Sequence, residues 1–338
     1  MKKKICLTGT TGFLGKRVVR EIVKDPNLHL RCLIRETSDT QALLNFLPPD
    51  THSRIEFYRG NLLQSDFVLS AFEGIDIFYH IAAALGGGTS QLFLNSVVPM
   101  KGIIAAALQH KVSRFVLVSS MGIYGPQDLP SGTVIDESSP VDPQPEKRDS
   151  YTFSKAHQEA ISWEAFYKHQ LPLVVVRPGV IYGPGRPLLT SRVGVQLGSF
   201  LLGMGGRQFL PYTYVSNCAE AVKLAGLTPN IEGKIINIID DELPVGKQLL
   251  REYRYHGNRI KALFLPLFLV HSLWATYAAY CRFSQEQLPP VLDTYKSKAM
   301  WKRLSYSNAS AHKLLGWKPK ISLNEGIKKT LATDSKKQ

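Results

Sequence analysis

Cysteine is scarce in this sequence. The 338 residues include four, at Cys6, Cys32, Cys218 and Cys281, and their spacing matches no metal-binding or redox motif. Cys6 and Cys32 lie in apolar runs, where a free cysteine usually fills a core. We therefore expect no metal site and a reducing, cytoplasmic environment. Fixed-period repeats and low-complexity tracts are also missing, which argues against solenoids, coiled coils and disorder.

Acidic residues are few compared with basic ones. The chain has 27 Asp and Glu against 41 Lys and Arg, a net charge of +14 with neutral histidines. A chain with such a charge could bind nucleic acid, a membrane surface or an anionic small molecule. No nucleic-acid-binding motif accompanies the basic residues. We therefore expect an anionic cofactor or substrate, with a membrane surface as the second choice and no nucleic-acid partner.

The N-terminus lacks the long apolar run of a signal peptide. Lys2–Lys4 and the following Ile-Cys-Leu imitate the start of one, but the run breaks at once into Thr8–Gly12, with no small-residue cleavage site. This segment therefore predicts a first strand that ends in a glycine-containing turn.

Short apolar strands alternate with helical patterns through the first half. This alternation predicts a doubly wound parallel sheet of the Rossmann type, covered by helices on both faces. The predicted strands are 4–8, 30–34, 55–58, 75–81, 114–118, 173–176 and 234–239; the predicted helices are 15–24, 95–109 and 151–169. Residues 241–330 show mostly helical and loop patterns, typical of a smaller, mainly helical C-terminal lobe.

The first strand runs into three glycines spaced by two residues, Gly9, Gly12 and Gly15, and a helix follows. A tight strand-to-helix turn needs φ angles that glycine adopts cheaply. The helix N-terminus then offers free N–H groups to a pyrophosphate. We therefore predict a dinucleotide-binding turn, with Thr11, Phe13 and Leu14 completing the contacts.

Further cofactor contacts are predicted at the ends of later strands. An acidic residue after strand two would bind the ribose 2′-hydroxyl of NAD, whereas Arg35 suits the 2′-phosphate of NADP. NADP is therefore favoured, with NAD and a solvated surface arginine as alternatives. Asn61 and Leu62 could flank the adenine, and Ala82 and Ala83 allow close approach to the cofactor.

The segment Tyr151-Thr-Phe-Ser-Lys155 opens a predicted helix, so its first and last side chains share one face. An ammonium one turn away, together with an oxidised nicotinamide, would stabilise a tyrosine phenolate. Tyr151 could then exchange a proton with a carbinol while hydride is transferred. Ser120, at a strand end, could hydrogen-bond the reacting oxygen. Asn95 is interpreted either as a helix N-cap or as part of a proton relay.

Together these motifs resemble the extended short-chain dehydrogenase/reductase superfamily, including its NAD-dependent epimerase/dehydratase family and its 3β-hydroxysteroid-dehydrogenase-like branch. The resemblance covers nearly the whole chain. It rests on TGTTGFLG (8–15), HIAA (80–83), SSMGIYG (119–125), YTFSK (151–155), RPGVIYGPG (177–185) and YVSNCAEA (214–221).

The resemblance implies an NAD(P)-dependent enzyme in which Tyr151 is the acid/base and Lys155 holds the nicotinamide ribose. Ser120 matches the catalytic hydroxyl position, Ser119 joins the cofactor contacts and Pro178 flanks the nicotinamide. Family dehydratases carry an Asp-Glu pair just after that hydroxyl. Met121 and Gly122 stand there in this chain, which disfavours water elimination.

The resemblance also implies two domains and a homodimer. The NAD(P)-binding Rossmann domain would comprise 1–177 plus about 215–240. A discontinuous substrate-binding lobe would comprise 178–214 plus 241–330, followed by a polar tail at 331–338. In relatives, the helices matching 95–109 and 151–169 pair into a four-helix interface; Ile103, Ile104 and Leu108 suit that pairing or packing on the sheet.

The stretch 262–281, ALFLPLFLVHSLWATYAAYC, is unusually apolar and has basic flanks. It reaches the minimum length of a membrane span, but Pro266, His271, Ser272 and Thr276 weaken that interpretation. We expect a buried helix or helix pair that lines a substrate pocket. The alternative is a peripheral membrane contact, which would make a cytoplasmic protein membrane-associated.

Three functions are compatible with the sequence. The first is an NADP(H)-dependent oxidoreductase that interconverts a secondary alcohol and a ketone on a sterol-like, acyl or glycan-linked small molecule. The second is a nucleotide-sugar epimerase with tightly bound NAD, which could act in surface-polysaccharide synthesis. The third, a catalytically idle regulator, is disfavoured because Tyr151 and Lys155 are both present.

Overall fold

The computed structural model describes residues 2–83, 88–283 and 294–334. Its first half confirms the alternation of strands and helices. In chain order these elements are β1 (Lys3–Thr8), α1 (Gly15–Ile22), β2 (Leu28–Ile34), α2 (Thr40–Leu44), β3 (Ile55–Arg59), α3 (Ser65–Ala71), β4 (Ile77–His80), α4 (Thr89–Ser96), α5 (Pro99–Gln109), β5 (Arg114–Val118), β6 (Val134–Ile135), α6 (Ser150–His169) and β7 (Leu173–Pro178).

The second half mixes short strands with helices. It contains β8 (Val180–Tyr182), β9 (Gly194–Leu197), β10 (Phe200–Met204), β11 (Tyr212–Tyr214), α7 (Val215–Leu227), β12 (Lys234–Ile238), α8 (Gly246–Tyr255), β13 (Lys261–Leu265), α9 (Leu267–Phe283), α10 (Thr294–Trp301), β14 (Ser305–Tyr306), α11 (Ala309–Leu315) and α12 (Leu323–Asp334). Trp301 ends helix α10, and Ser305–Tyr306 pairs with β6.

Seven strands form a parallel sheet in the order β12-β7-β5-β4-β1-β2-β3. The strand order reverses between β1 and β4, and in open sheets a ligand crevice lies beyond the carboxyl ends at such a point. The predicted Rossmann-type architecture is therefore confirmed. All strands of this sheet lie within 3–178 and 234–238; the division into two domains stays a prediction.

Side chains of the sheet alternate between two cores. Ile5 and Leu7 of β1 pack with α1 and α7, whereas Cys6 between them packs with Phe78 and Phe115 on the other face. All five are fully buried. Because both faces are covered, the strands consist of nearly continuous apolar residues rather than alternating ones. The two cores hold the sheet rigid beneath the crevice.

The predicted single helix at 95–109 is wrong. Residues 89–109 form two helices, α4 and α5, because Pro99 has no N–H to donate and begins a new helix instead. The stretch 90–109 is long and apolar enough to cross a membrane by composition, but half of it is buried. Ile103 and Ile104 pack in the core; the homodimer predicted through this region stays a prediction.

The apolar stretch 262–281 differs from its prediction as a buried helix or helix pair. It begins as strand β13, which pairs with β10, and continues after Pro266 as helix α9. Val270 is buried, but Phe268, Leu273 and Tyr280 are exposed. Helix α9 therefore covers the lobe with one side only.

Candidate active site

The turn between β1 and α1 brings three glycines together at the carboxyl end of the sheet. Gly9 has φ +73°, and a Cβ there would lie 2.7 Å from the backbone nitrogen of Ala82. The Gly12 N–H donates to the Gly9 carbonyl at 3.0 Å. A Cβ on Gly15 would overlap that same carbonyl oxygen. The glycines thus give backbone access to the N-terminus of α1, where a phosphate binds favourably.

A single cavity of about 990 Å³ begins at this turn. All the residues predicted as cofactor-binding or catalytic line it: Gly9, Thr11, Gly12, Phe13, Leu14, Gly15, Arg35, Asn61, Leu62, Ala82, Ala83, Asn95, Ser119, Ser120, Tyr151, Lys155 and Pro178. They come from elements far apart in sequence, and the parallel sheet brings them together. Their individual roles stay predictions.

Arg35 lies where the cavity reaches the end of β2. Its side chain is exposed, and Ser38 lines the cavity beside it. Arg59 fixes the loop that carries both, because its guanidinium donates to the carbonyl of Glu36 at 2.8 Å. The loop therefore presents a cation and a hydroxyl to the cavity on a braced backbone.

Helix α6 positions the predicted catalytic pair. The Asp149 carboxylate caps the helix by accepting from the Thr152 N–H at 2.9 Å. Tyr151 and Lys155 follow one turn apart. The Lys155 ammonium reaches across to β5 and donates to the Val118 carbonyl at 2.7 Å. Burial lowers the pKa of Lys155 to about 7.

Ser120 and Tyr151 meet on the cavity wall, where their side chains form a hydrogen bond. Burial raises the pKa of Tyr151 to about 12, partly offset by its hydrogen bond with Ser120. The Ser120 hydroxyl oxygen also accepts from the Gly122 N–H at 3.0 Å, which fixes its position. A phenol and a hydroxyl thus face one point, as proton exchange with a single oxygen atom requires.

A buried polar chain behind the turn was missed by the sequence analysis. His80 lies between the Thr8 hydroxyl, 3.0 Å from Nδ1, and the Gln158 amide, 3.2 Å from Nε2. Gln158 also donates to the Ser96 carbonyl at 2.6 Å. Burial lowers the pKa of His80 to about 3, so the imidazole is neutral. This series of hydrogen bonds links α6 to β1 and β4. The motif HIAA at 80–83 was the one feature of the sequence that could have indicated it.

Asn95 is not an N-cap, because it lies near the C-terminal end of α4 rather than at a helix start. That interpretation is therefore wrong. Asn95 does line the cavity, and its part in a proton relay stays a prediction.

Two arginines on the cavity wall were also missed by the sequence analysis. Arg186 and Arg192 line the cavity together with Thr190 and Met300. The Arg186 guanidinium lies 5.4 Å from the centre of the Phe13 ring. Its charge also lowers the pKa of Tyr151, against the larger effect of burial. The cavity beside these arginines therefore suits a molecule with an anionic or strongly polar part.

A profile of the NAD dependent epimerase/dehydratase family matches residues 5–238. The chain belongs to this family. It is 26% identical to 3beta-hydroxysteroid-dehydrogenase/decarboxylase isoform 1 of Arabidopsis thaliana, over 96% of this chain and 78% of that protein. It is 25% identical to 2-alkyl-3-oxoalkanoate reductase of Shewanella oneidensis, over 97% and 85% respectively. Both are similar to this chain along most of its length.

Solved structures have the same fold. UDP-glucuronic acid 4-epimerase from Bacillus cereus, in complex with NAD, superposes with a TM-score of 0.74 at 20% identity, covering 98% of this chain and 99% of that one. The crystal structure of gox2253 gives a TM-score of 0.81 at 21% identity, covering 99% of each chain. The protein is therefore an NAD(P)-dependent enzyme of the extended short-chain dehydrogenase type, as the sequence predicted.

The cavity fits a nicotinamide dinucleotide. The glycine turn is so tight that a Cβ on Gly9 or Gly15 would meet neighbouring backbone atoms, and its backbone borders the cavity at the start of α1. Ser119 supplies a second indication, because its buried hydroxyl oxygen has no hydrogen-bond partner among the described residues and lies on the cavity wall. The turn would hold the pyrophosphate, and Lys155 with Pro178 would adjoin the nicotinamide end.

Proposed function

We propose that the protein is an NADP(H)-dependent oxidoreductase that interconverts a secondary alcohol and a ketone. The observation that supports this most strongly is the convergence of Ser120, Tyr151 and Lys155 on the wall of the cavity that the glycine turn also lines. A nicotinamide bound there supplies or accepts the hydride. The protein must then exchange one proton and position the reacting carbon.

The residues of the chain divide the remaining work. In ketone reduction the Tyr151 phenol donates its proton to the carbonyl oxygen, and the Ser120 hydroxyl hydrogen-bonds the same oxygen. The raised pKa of Tyr151 suits an acid that stays protonated at neutral pH. In alcohol oxidation the proton returns to Tyr151, and a charged Lys155 stabilises the phenolate that receives it.

NADP is the proposed cofactor because Arg35 and Ser38 line the cavity at the end of β2. A guanidinium and a hydroxyl can bind a 2′-phosphate through charge-assisted hydrogen bonds. The relatives that are named as reductases and dehydrogenases support net redox chemistry as the reaction class.

The second candidate is a nucleotide-sugar epimerase that retains NAD. Arg186 and Arg192 on the cavity wall favour it, because a nucleoside diphosphate needs such cations. The solved epimerase structures share the fold.

Identification of the bound nucleotide separates the two candidates. The purified protein is denatured and the released nucleotide is analysed by chromatography. An empty site, with NADPH consumed in the presence of ketones, is the result expected of the reductase. Retained NAD⁺, with no net consumption of NADPH across a ketone panel, would contradict the reductase and indicate the epimerase.

A further inference from the structure

The outer side of α9 is an apolar surface without a partner among the described residues. Phe268 is 68% exposed, Leu273 57%, Tyr280 56% and Phe283 86%. At 3.6 residues per turn these positions follow one side of the helix. Isolated exposed apolar residues need no explanation, but a continuous set of large ones marks an interaction surface.

This side of α9 contains nothing that must face water. No Asp, Glu, Lys or Arg occurs between Leu267 and Cys281. The exposed hydroxyls of Ser272 and Thr276 donate to the helix's own carbonyls at 3.0 Å, four residues earlier in each case. Their polar groups are thus satisfied inside the helix, which lowers the cost of moving this side out of water.

The opposite side of α9 holds the helix on the protein. Val270 is buried against Met204 and Trp301, and Leu267 and Trp274 pack around them. The outer side is therefore presented by an anchored helix. Its 17 residues extend about 25 Å, less than the roughly 30 Å of a bilayer's hydrocarbon core. Short length and one-sided anchoring favour a helix that lies in a membrane interface and does not cross it.

The apolar surface continues on the small sheet β13-β10-β9. Phe200 pairs with Leu197 on one neighbouring strand and with Lys261 on the other. Paired side chains point to the same side of a sheet. Leu197 and Phe200 therefore lie on the same side of the sheet as Leu202, which packs under α9. The exposed Leu263 pairs with Leu202 and lies on that side as well. The exposed apolar side chains of both elements face the same side of the lobe.

Basic residues predominate in the part of the sequence that contains this surface. Residues 245–324 contain thirteen Lys and Arg against three Asp and Glu. Arg254, Arg259 and Lys261 line a hollow beside Ser199, at the edge of the small sheet. Burial and the charges of Lys298 and Lys302 lower the pKa of His271, so these two lysines lie near α9. Cations thus lie near both α9 and the small sheet.

We propose that the outer side of α9, with the adjoining edge of the small sheet, docks on the surface of an anionic lipid bilayer. Apolar side chains would enter the interface, and the nearby cations would pair with lipid phosphates. A second copy of the chain fits less well, because two such faces would bring like charges together.

Docking would place the cavity wall at Met300 near the lipid. Met300 of α10 packs in the cluster that anchors α9, and it also lines the cavity. Its carbonyl accepts from Arg192, another residue of the cavity wall, at 3.5 Å. The docking surface itself does not depend on the proposed redox reaction, and its test measures lipid binding alone.

Vesicle flotation tests the proposal directly. Wild-type protein is mixed with vesicles of phosphatidylcholine alone or of phosphatidylcholine with about one third phosphatidylglycerol. We expect binding to the anionic vesicles at least tenfold stronger than to the neutral ones, falling as salt rises from about 0.05 to about 0.5 M. Equal binding to both, or none to the anionic vesicles, would overturn the proposal.

Variants locate the surface. Phe268→Ser with Leu273→Ser should lower binding to anionic vesicles at least tenfold, and the single Phe283→Ser should lower it in the same direction. Tyr167→Ser, which alters a 76% exposed aromatic on α6, is the matched control and should bind as the wild type does. Lys261→Gln with Lys298→Gln should reduce the preference for anionic lipid. An unchanged melting temperature in thermal unfolding checks that each variant is folded.

Light scattering without lipid tests whether a second copy of the chain, and not a bilayer, covers this surface. If Phe268→Ser with Leu273→Ser converts a dimer into monomers while vesicle binding is unchanged, the surface is a contact between two copies and the lipid proposal fails. An unchanged oligomeric state with lost vesicle binding supports it.

Discussion

The Lys155 ammonium lies 2.7 Å from the backbone carbonyl of Val118. This hydrogen bond joins α6, which carries the predicted catalytic pair, to the end of β5, and Ser119 and Ser120 follow that strand. It thus fixes the Ser120 hydroxyl relative to the Tyr151 phenol across the cavity. Burial of the Lys155 ammonium lowers its pKa to about 7 in the protein without cofactor.

This pKa predicts that cofactor binding takes up a proton. At pH 8 Lys155 is mostly neutral in the free protein, whereas the negative charges of a bound dinucleotide favour the ammonium. NADPH should therefore bind with uptake of up to one proton at pH 8 and with little uptake at pH 6, where Lys155 is already charged. Its affinity should fall as pH rises from about 7 to 9, by at most tenfold per pH unit.

Calorimetry in buffers of different ionisation enthalpy measures the uptake. Lys155→Met should abolish it, and Lys168→Met, an exposed lysine on the same helix, should leave it unchanged. Proton uptake that persists in Lys155→Met would assign it to another group.

Arg35 should select NADPH over NADH. Arg35→Ala removes the cation from the end of β2, and a hydrogen bond to a charged group contributes about 1.5–3 kcal/mol. The affinity for NADPH should therefore fall about 10- to 100-fold while the affinity for NADH stays nearly constant, as measured by fluorescence titration. Arg251→Ala, at a 76% exposed arginine, is the control. Equal losses for both cofactors would contradict the assignment.

Two glycines should respond oppositely to alanine. Gly15→Ala places a methyl group against the Gly9 carbonyl, so it should lower the melting temperature and remove dinucleotide binding. Gly102→Ala in α5 meets no atom within 4 Å and should raise stability by about 0.5–1 kcal/mol. Thermal unfolding compares the two variants, and a tolerated Gly15→Ala would exclude a tight turn.

The glycine turn and the Tyr151–Lys155 pair could be predicted because both are local patterns. Gly9 and Gly15 lie six residues apart, and a tyrosine and lysine spaced by four share a helix face in any context. The parallel sheet follows from short apolar strands that alternate with helices. These features depend on neighbours along the chain, so the sequence contains what is needed to predict them.

Other features depend on contacts between distant residues. Gln158 and His80 are 78 positions apart, and nothing in either segment indicates the other. The break at Pro99 is visible in the sequence, but the apolar periodicity around it predicted one helix. For α9, composition shows an apolar stretch and cannot show which side the rest of the chain covers. Only the packing of Val270 and Trp274 reveals the exposed side.

The central claim is that Tyr151 exchanges the proton that accompanies hydride transfer. The most direct measurement compares turnover of the wild type and Tyr151→Phe on the first substrate that the ketone or nucleotide-sugar panels identify, at saturating cofactor. The expected loss is about 10²- to 10⁴-fold with cofactor affinity retained. Tyr167→Phe, an exposed tyrosine on the same helix, should keep full activity. A Tyr151→Phe enzyme that turns over at the wild-type rate would contradict the account.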